Sequence, residues 1–437
     1  MCKINIIGAG LAGSECALYL AKKGHVVNLY DIKGDKMTPA HHSKNYAEIV
    51  CSNSFKSKDN TTASGVLKNE LTLLGCNLLE IAYANQVPAG QALAVDREAF
   101  SREVTEQIKA HKNINLYTKE VGEFDPDAIT IVATGPLSTD KMCKALSSEI
   151  GADFLYFYDA AAPIISADSI DMNKAFFYSR YNKGGEDYLN CAMDKQEYLR
   201  FYNALISAER VQLHDFEKKN IFESCMPIEI MASRGEDAIR FGPLKPVGIV
   251  NPHKNVKPYA VVQLRKENKC ATMYNMVGFQ TNLTFPAQRE VFRLIPGLEN
   301  AEFLRYGVMH TNNFINFPKC LDQFSRLKTN PNIYIAGQLS GVEGYVESIA
   351  SGLYCAINVD RVINGLKPIS FSENTIIGAL YNYLTQANVE HFQPINANFG
   401  ILPTIEERDK KKKGEKYFIR SREEMKKIIK EFGLGNN

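Results

Sequence analysis

Hydrophobic positions near the start of the chain fall into short β-branched runs separated by longer stretches with a helical rhythm. Ile4, Ile6 and Ile7 predict a buried strand that opens directly into Gly8-Ala9-Gly10-Leu11-Ala12-Gly13. Leu11 to Lys23 is rich in Ala and Leu, lacks proline and stops at Gly24, which predicts a helix with a C-terminal glycine. Val26 to Tyr30 predicts a second strand with Asp31 at its tip. A helix over about Asn69–Glu80 and a turn at Val87-Pro88-Ala89-Gly90 follow. Asp96 is a good N-cap for a helix to about Lys109, on which Phe100, Val104 and Ile108 share a core-facing stripe. Ile114–Tyr117 and Ala128–Ala133 predict further strands, the second ending in Thr134-Gly135-Pro136.

The alternation of strand and helix lapses from about Gly151 to Asn330, where clusters such as Tyr156-Phe157-Tyr158 and Phe176-Phe177-Tyr178 predict the core of a second, mixed region. It returns with a strand at Asn332–Ala336, a turn through Gly337, Gln338 and Gly341, and a helix opened by Gly344-Tyr345 and running to about Asn358. Ser370–Glu373 and Ser421–Glu424 read as capping boxes for two tail helices, with Lys410–Lys413 between them as a solvated loop or an RNA contact. This order predicts an α/β fold: a Rossmann-like dinucleotide-binding domain with an inserted mixed α/β substrate domain. The expected division is 1–150 for the first part, 151–330 for the insertion, and 331–437 for the completed first domain with a helical, basic tail.

The glycine turn has the G-x-G-x-x-G spacing. In that pattern Gly8 permits the bend, Gly10 lets the backbone approach a pyrophosphate, and Gly13 lets the helix pack closely on the strand. The phosphate sits on the helix N-terminus, and Asp31 is placed to accept hydrogen bonds from a ribose. The fingerprint alone does not separate FAD from NAD. A strand closing on Ala133-Thr134-Gly135 fits the returning strand of a flavoprotein sheet, and the absence of a second such fingerprint predicts a single dinucleotide fold.

A net charge of +2 does not by itself announce a nucleic-acid partner. No stretch has the length of an apolar membrane span and the first strand is too short for a signal peptide, so a cytoplasmic protein without a membrane partner is expected. Ten cysteines without a C-x-x-C pair suit a reducing compartment. His41 and His42 are adjacent, so their side chains diverge, and no H-x-x-x-H spacing follows; no metal is expected.

Two cysteines stand apart. Cys51 precedes Ser52-Asn53-Ser54, small polar residues that cap helices, so its thiol is expected at a helix N-terminus; a buried structural cysteine is the alternative. Cys225 lies in Phe222-Glu223-Ser224-Cys225-Met226-Pro227-Ile228-Glu229, where flanking acids raise a thiol pKa, so any activation must come from the tertiary fold.

Blocks spread over about residues 3 to 365 carry a resemblance: IIGAGLAGSECALYLAKKGHVVNLYD, TPAHHSKNYAEIVCSNS, VPAGQALAVDREAF, CMPIEIMA, RFGPLKPVG and YIAGQLSGVEGYVESIASGL. Together they resemble the TrmFO family, folate- and FAD-dependent RNA (uracil-5-)-methyltransferases. The resemblance implies FAD bound by Gly8, Ala9, Gly10, Leu11, Ala12, Gly13 and Asp31, with Gly337, Gln338, Gly341, Gly344 and Tyr345 completing the cofactor site. It implies methylenetetrahydrofolate as one-carbon donor, NAD(P)H as reductant, and as target the T-loop uridine of tRNA or, alternatively, a uridine of 23S ribosomal RNA. Uracil C5 is a poor nucleophile until a thiolate adds at C6, and a base must later remove the C5 proton. By resemblance Cys225 is that nucleophile, Cys51 its partner as base or resolving thiol, and His310 the ring that stacks the pterin against the flavin. Ser224 and Thr311 stand where family members often carry Gly and Arg, which implies an altered folate or RNA contact. An NAD(P)H-dependent flavin oxidoreductase acting on a small molecule is the alternative from another class, and the two cysteines argue against it.

Overall fold

The computed structural model of the protein describes residues 2–38, 40–151, 155–180, 187–211 and 226–435, with backbone alone for 155–160, 310 and 311. Five parallel strands form one sheet in the order Ile333–Ile335, Ala128–Val132, Lys3–Ile7, Val27–Asp31, Ile114–Thr118. Ile4–Ile7 and the whole of Ala128–Val132 are buried without alternation, as the centre of a parallel sheet requires. The strand at one edge thus comes from the far end of the chain and pairs with Ala128–Val132.

The late helix Tyr345–Ile363 lies against the first helix, Leu11–Lys22. At their crossing a Cβ on Gly352 would meet the Ala12 carbonyl oxygen at 2.4 Å, and the Cys16 thiol donates to the Gly352 carbonyl at 3.1 Å. One hydrophobic core, from Ile4 to Leu434, embeds this contact.

A second core, from Ala162 to Ala301, lies on a six-stranded antiparallel sheet ordered Phe176–Phe177, Tyr188–Met193, Ala260–Lys266, Met273–Met276, Ile164–Ser166, Phe303–Arg305. An antiparallel ribbon of Leu155–Ala160 and Met309–Phe314 pairs the chain entering and leaving this region. The architecture is the expected α/β class.

Three local expectations are corrected. The helix expected over Asn69–Glu80 is two helices, Ala63–Leu73 and Asn77–Ala84, broken at Gly75, whose φ of +74° a side chain would resist. Lys410–Lys413 is not a loop: Asp409 caps the Lys412 N–H at 2.9 Å and one helix runs from Lys410 to Phe432. Neither capping box forms. Thr375 caps the helix Ile376–Gln386, and Ser421 sits mid-helix, its hydroxyl donating to Glu70 at 2.5 Å.

Buried carboxylates tie these helices together. Glu15 on the first helix accepts the N–H groups of Asn77 and Leu78, capping a second helix from outside its sequence. Glu70 does the same for Ile376 and Ile377, at 2.6 and 2.9 Å, while holding Ser421. Burial pushes the Glu70 carboxyl up to about 7, against the pull of these donors. Glu70→Ala is expected to leave two buried N–H groups and a hydroxyl unpaired, costing about 3 kcal/mol and lowering the melting temperature by several degrees in a thermal unfolding scan; an unchanged melt would show that the three-helix tie contributes nothing.

Candidate active site at the glycine turn

Gly8 adopts φ +98° and its N–H donates to the Tyr30 carbonyl at 2.7 Å, closing the first strand onto the second. Asp31 then fastens the turn: one carboxylate oxygen accepts from the Ala9 N–H at 2.6 Å, the other from the Lys33 N–H at 2.7 Å. Each oxygen keeps a lone pair for a ribose hydroxyl. A Cβ on Gly13 would lie 1.8 Å from the Gly8 carbonyl oxygen, so that glycine is demanded by packing. Over Gly10 the nearest atom to such a Cβ is 4.0 Å away. The helix beginning at Leu11 has no side-chain cap, so its first N–H groups face that opening.

Two cavities, of about 80 and 350 Å³, meet at Gly10, His41, Glu48, Ala133, Thr134 and Leu137 and make one groove. The narrow end runs under Gly8, Tyr30, Asp31, Ser138 and Met142. The wide end is lined by Leu11, Ala12, Cys51, Lys56, Gln280, Gly337, Gln338, Gly344 and Tyr345, among others. A groove with its open glycine in the middle, a ribose-binding carboxylate on one side and a wider chamber on the other fits FAD. Ala9, Gly13 and Gly341 stand behind this wall: Ala9 bonds Asp31, Gly13 packs on Gly8, and Gly341 faces the Phe392 ring.

His41, Glu48 and Lys33 line the groove and were missed as site residues, because the histidine pair was weighed only as a metal site. The signal was their position just after the ribose carboxylate. His41 Nδ1 lies 2.5 Å from the Thr38 hydroxyl, and burial, with the Lys33 ammonium nearby, pushes its imidazole down to about 4. It is a neutral wall at physiological pH. The Glu48 carboxylate pairs with Lys33 at 2.8 Å; burial opposes ionisation, but that partner holds it below the usual range. Among the described residues no group of three His, Cys, Asp or Glu side chains is placed to hold a metal.

Cys51 lines the wide chamber, but no helix starts there. Ser52 and Ser54 instead accept from backbone N–H groups two residues on, at 3.2 and 3.1 Å, and a strand, Ser54–Ser57, follows. Small polar residues serve tight turns as readily as caps. The loop is clamped from several sides. The Tyr345 hydroxyl accepts from the N–H groups of Cys51 and Ser52, at 2.8 and 3.1 Å. Arg97 donates to the carbonyls of Ile49 and Cys51 and pairs with Glu267 at 2.9 Å; burial works against its charge, but Glu267 raises it. Arg265, in the antiparallel sheet, donates to Asn53 Oδ1 at 2.8 Å and Ser52 Oγ at 2.6 Å, its pKa lowered by burial. Asn53, fully buried, spans both regions through the carbonyls of Val95 and Lys266.

Cys225 and the His310 side chain lie outside the described residues. Just beyond Cys225, the Ile228 N–H donates at 2.7 Å to the carbonyl of Gln280, which lines the wide chamber.

A parallel sheet with a glycine-turn groove that fits FAD defines a flavoprotein of the dinucleotide-binding α/β class. The chain belongs to the Glucose inhibited division protein A (GIDA) family, whose profile matches residues 3–367. Within it the chain is 52% identical over 431 residues, 98% of each chain, to the methylenetetrahydrofolate--tRNA-(uracil-5-)-methyltransferase TrmFO of Acetivibrio thermocellus. The TrmFO of Fusobacterium nucleatum is 52% identical over 430 residues, 98% of this chain and 99% of that one. In fold the chain is similar to Aquifex aeolicus GidA, with a TM-score of 0.72 over 100% of this chain and 74% of that chain at 15% identity.

Gly10→Val is expected to fold yet purify colourless, since its side chain enters only the groove, whereas Gly13→Val is expected to be insoluble; flavin absorbance and soluble yield separate the two. Arg265→Ala is expected to release the Cys51 loop, so that iodoacetamide labels Cys51 about tenfold faster in the FAD-loaded protein, consistent with losing about 1–3 kcal/mol of buried hydrogen bonding. Unchanged labelling, read by mass spectrometry, would mean that the other anchors suffice.

Proposed function

We propose that the protein methylates C5 of a uridine in tRNA, with methylenetetrahydrofolate as one-carbon donor, NAD(P)H as reductant and FAD as resident cofactor. The observation that carries this is 52% identity over 98% of both chains to a TrmFO protein named for that activity. A thiol in the wide end of the groove supports it over a plain flavin oxidoreductase. We assign tRNA as the target rather than the 23S ribosomal RNA alternative because the relatives are named for tRNA. Among the described residues no helix is long and apolar enough to cross a membrane, and we assign the protein to the cytoplasm.

FAD, when bound, supplies the electrons and the carrier of the one-carbon unit. Gly8 to Gly13 would receive its pyrophosphate on the uncapped helix N-terminus and Asp31 its ribose, while Gly337, Gln338, Gly344 and Tyr345 would frame the flavin end, with Gly341 supporting them from behind. Neutral His41 would leave the junction of the two cavities without an added charge. We assign His310 to stacking on the pterin. The Cys225 thiolate adds to uracil C6, which makes C5 nucleophilic; a base removes the C5 proton once the new bond to C5 exists, and the S–C6 bond breaks to restore the ring as the one-carbon unit takes up two electrons, drawn ultimately from NAD(P)H, and becomes the methyl group. We assign Cys51 to the partner role, as that base or as a resolving thiol. Its clamp fixes the thiol's position, since the loop's N–H and C=O groups are already bonded. We further propose that 1–150 and 331–437 form the cofactor domain and 151–330 the RNA-side domain.

The test uses FAD-loaded protein, unmodified tRNA, NAD(P)H and methylenetetrahydrofolate labelled in its one-carbon unit. Label is expected in 5-methyluridine, and label entering RNA from S-adenosylmethionine instead would overturn the reading. Cys225→Ala is expected to lower methylation by about 10³-fold or more while the protein stays yellow. Cys51→Ala is expected to stop turnover too, and to accumulate a covalent RNA adduct if Cys51 is the base. Near wild-type methylation by Cys225→Ala would remove that residue from its role.

A further inference from the structure

Between Asp237 and Glu267 the chain has no acidic residue, but it carries Arg240, Lys245, Lys254, Lys257, Arg265 and Lys266, in a protein whose net charge is only +2. Arg265 is consumed by the Cys51 loop. The others are not spent that way. Lys245, Lys254 and Lys257 are exposed, and among the described residues no carboxylate pairs with them. Beside them Phe241 is 62% exposed, with Val247 and Val256 also at the surface. A phenylalanine left so open forgoes more than half of the stabilisation that full burial would contribute.

The loops that carry these side chains are held from below. Arg180 donates to the carbonyls of Lys245 and Val247 at 2.6 and 2.9 Å and is itself seated on Gln263. Asn251 and Val256 are bridged at 2.9 Å, and the Asn251 side chain caps the His253 N–H. Arg240 lies over the Tyr259 ring, 4.0 Å from its centroid, and against Phe241. Pro243 packs so tightly on Gly278 that a Cβ there would come within 2.5 Å, and Gln280, two residues on, lines the wide chamber. The face is therefore preorganised, and Pro243 ties it to Gly278, two residues from the chamber-lining Gln280.

We propose that the face built from residues 240–257 docks the sugar–phosphate backbone of the RNA substrate, with Lys245, Lys254 and Lys257 on phosphates and Phe241 stacked on an unpaired base. This rests on the reading that the substrate is tRNA. The other basic surface, the helix Lys410–Phe432, is a poorer candidate. Glu415, Glu423, Glu424 and Glu431 interrupt its cations, and Lys416 and Lys427 pair with Glu407 and Glu424 at 2.8 and 3.3 Å. Uncompensated charge on a fixed frame, next to exposed aromatic surface, is what a polyanion with accessible bases requires.

The experiment measures binding of a fluorescent unmodified tRNA to the full-length FAD-loaded protein by anisotropy over a salt series. The triple variant Lys245→Ala, Lys254→Ala, Lys257→Ala is expected to bind on the order of 50-fold more weakly near ~0.15 M salt, with a salt slope shallower by about two. Phe241→Ala is expected to weaken binding about tenfold with the slope unchanged, because stacking carries no counterions. Flavin absorbance and melting temperature check that each variant is folded. A variant with Lys410–Lys413 all changed to Ala is expected to bind within about twofold of wild type, since Glu406, Glu407, Asp409 and Glu415 flank those lysines and offset their field on a polyanion. The proposal falls if the triple variant binds like wild type, or if the loss of affinity and slope appears in the Lys410–Lys413 variant instead. Wild-type protein that binds no tRNA would overturn the functional reading and this proposal together; wild-type binding with an unaffected triple variant overturns the proposal alone.

Discussion

The arrangement depends on the close approach of the first helix to Gly352 of the helix Tyr345–Ile363. There the Ala12 carbonyl leaves no room for a Cβ, and the Cys16 thiol, 336 residues away in sequence, donates to the Gly352 carbonyl. With no side chain between them, the late helix can lie close enough to fix the first helix, and the first helix carries the open N-terminus at Gly10. The edge strand Ile333–Ile335 and the cavity residues Gly337 and Gly344 come with it. A residue with a Cβ at position 352 would force the two helices apart. Gly337 shows the same economy of space, a Cβ there coming 3.0 Å from that of Ala12.

Charge is handled in two ways. In the core, Glu15, Glu70 and Glu229 accept N–H groups from other segments, satisfying backbone donors at the cost of burying a carboxyl, and burial raises all three. Around the Cys51 loop, arginines from both regions donate to its backbone and side-chain oxygens. A broken partner there would strand a guanidinium out of water, so the loop resists drift more strongly than neutral hydrogen bonds would allow. The Cys51 loop is thereby held against the groove in part by the antiparallel-sheet region.

Much of this was legible from the chain. The first strand, glycine turn, helix and Asp31 follow from local rules, because each residue's role there is set by neighbours a few positions away. The resemblance to TrmFO proteins carried the chemistry. Contacts across sequence were not legible. Nothing near Glu70 announces that it caps Ile376, and nothing near Arg265 announces Ser52. Local signals also competed: Ser421 satisfies the capping-box pattern, but a continuing helix and a buried carboxylate used its hydroxyl first. Ser52 and Ser54 went to turns for the same reason, since a side chain that can cap a helix can equally bond two residues ahead. His41 was missed as a groove residue because its place is set by the loop's path after Asp31, and its adjacent histidine drew attention to a metal instead.

The edge position of Ile333–Ile335 has a consequence for how the protein is made. On the ribosome the strands Lys3–Ile7, Val27–Asp31, Ile114–Thr118 and Ala128–Val132 emerge early, but the flank of Ala128–Val132 keeps open N–H and C=O groups until some two hundred further residues have been synthesised. The first helix likewise waits for its partner at Gly352, and Glu70 for Ser421 near the end of the chain. The nascent protein thus carries an unfinished, adhesive sheet until Ile333–Ile335 emerges, and the groove lacks its walls at Gly337 and Gly344 until the same stretch has been made.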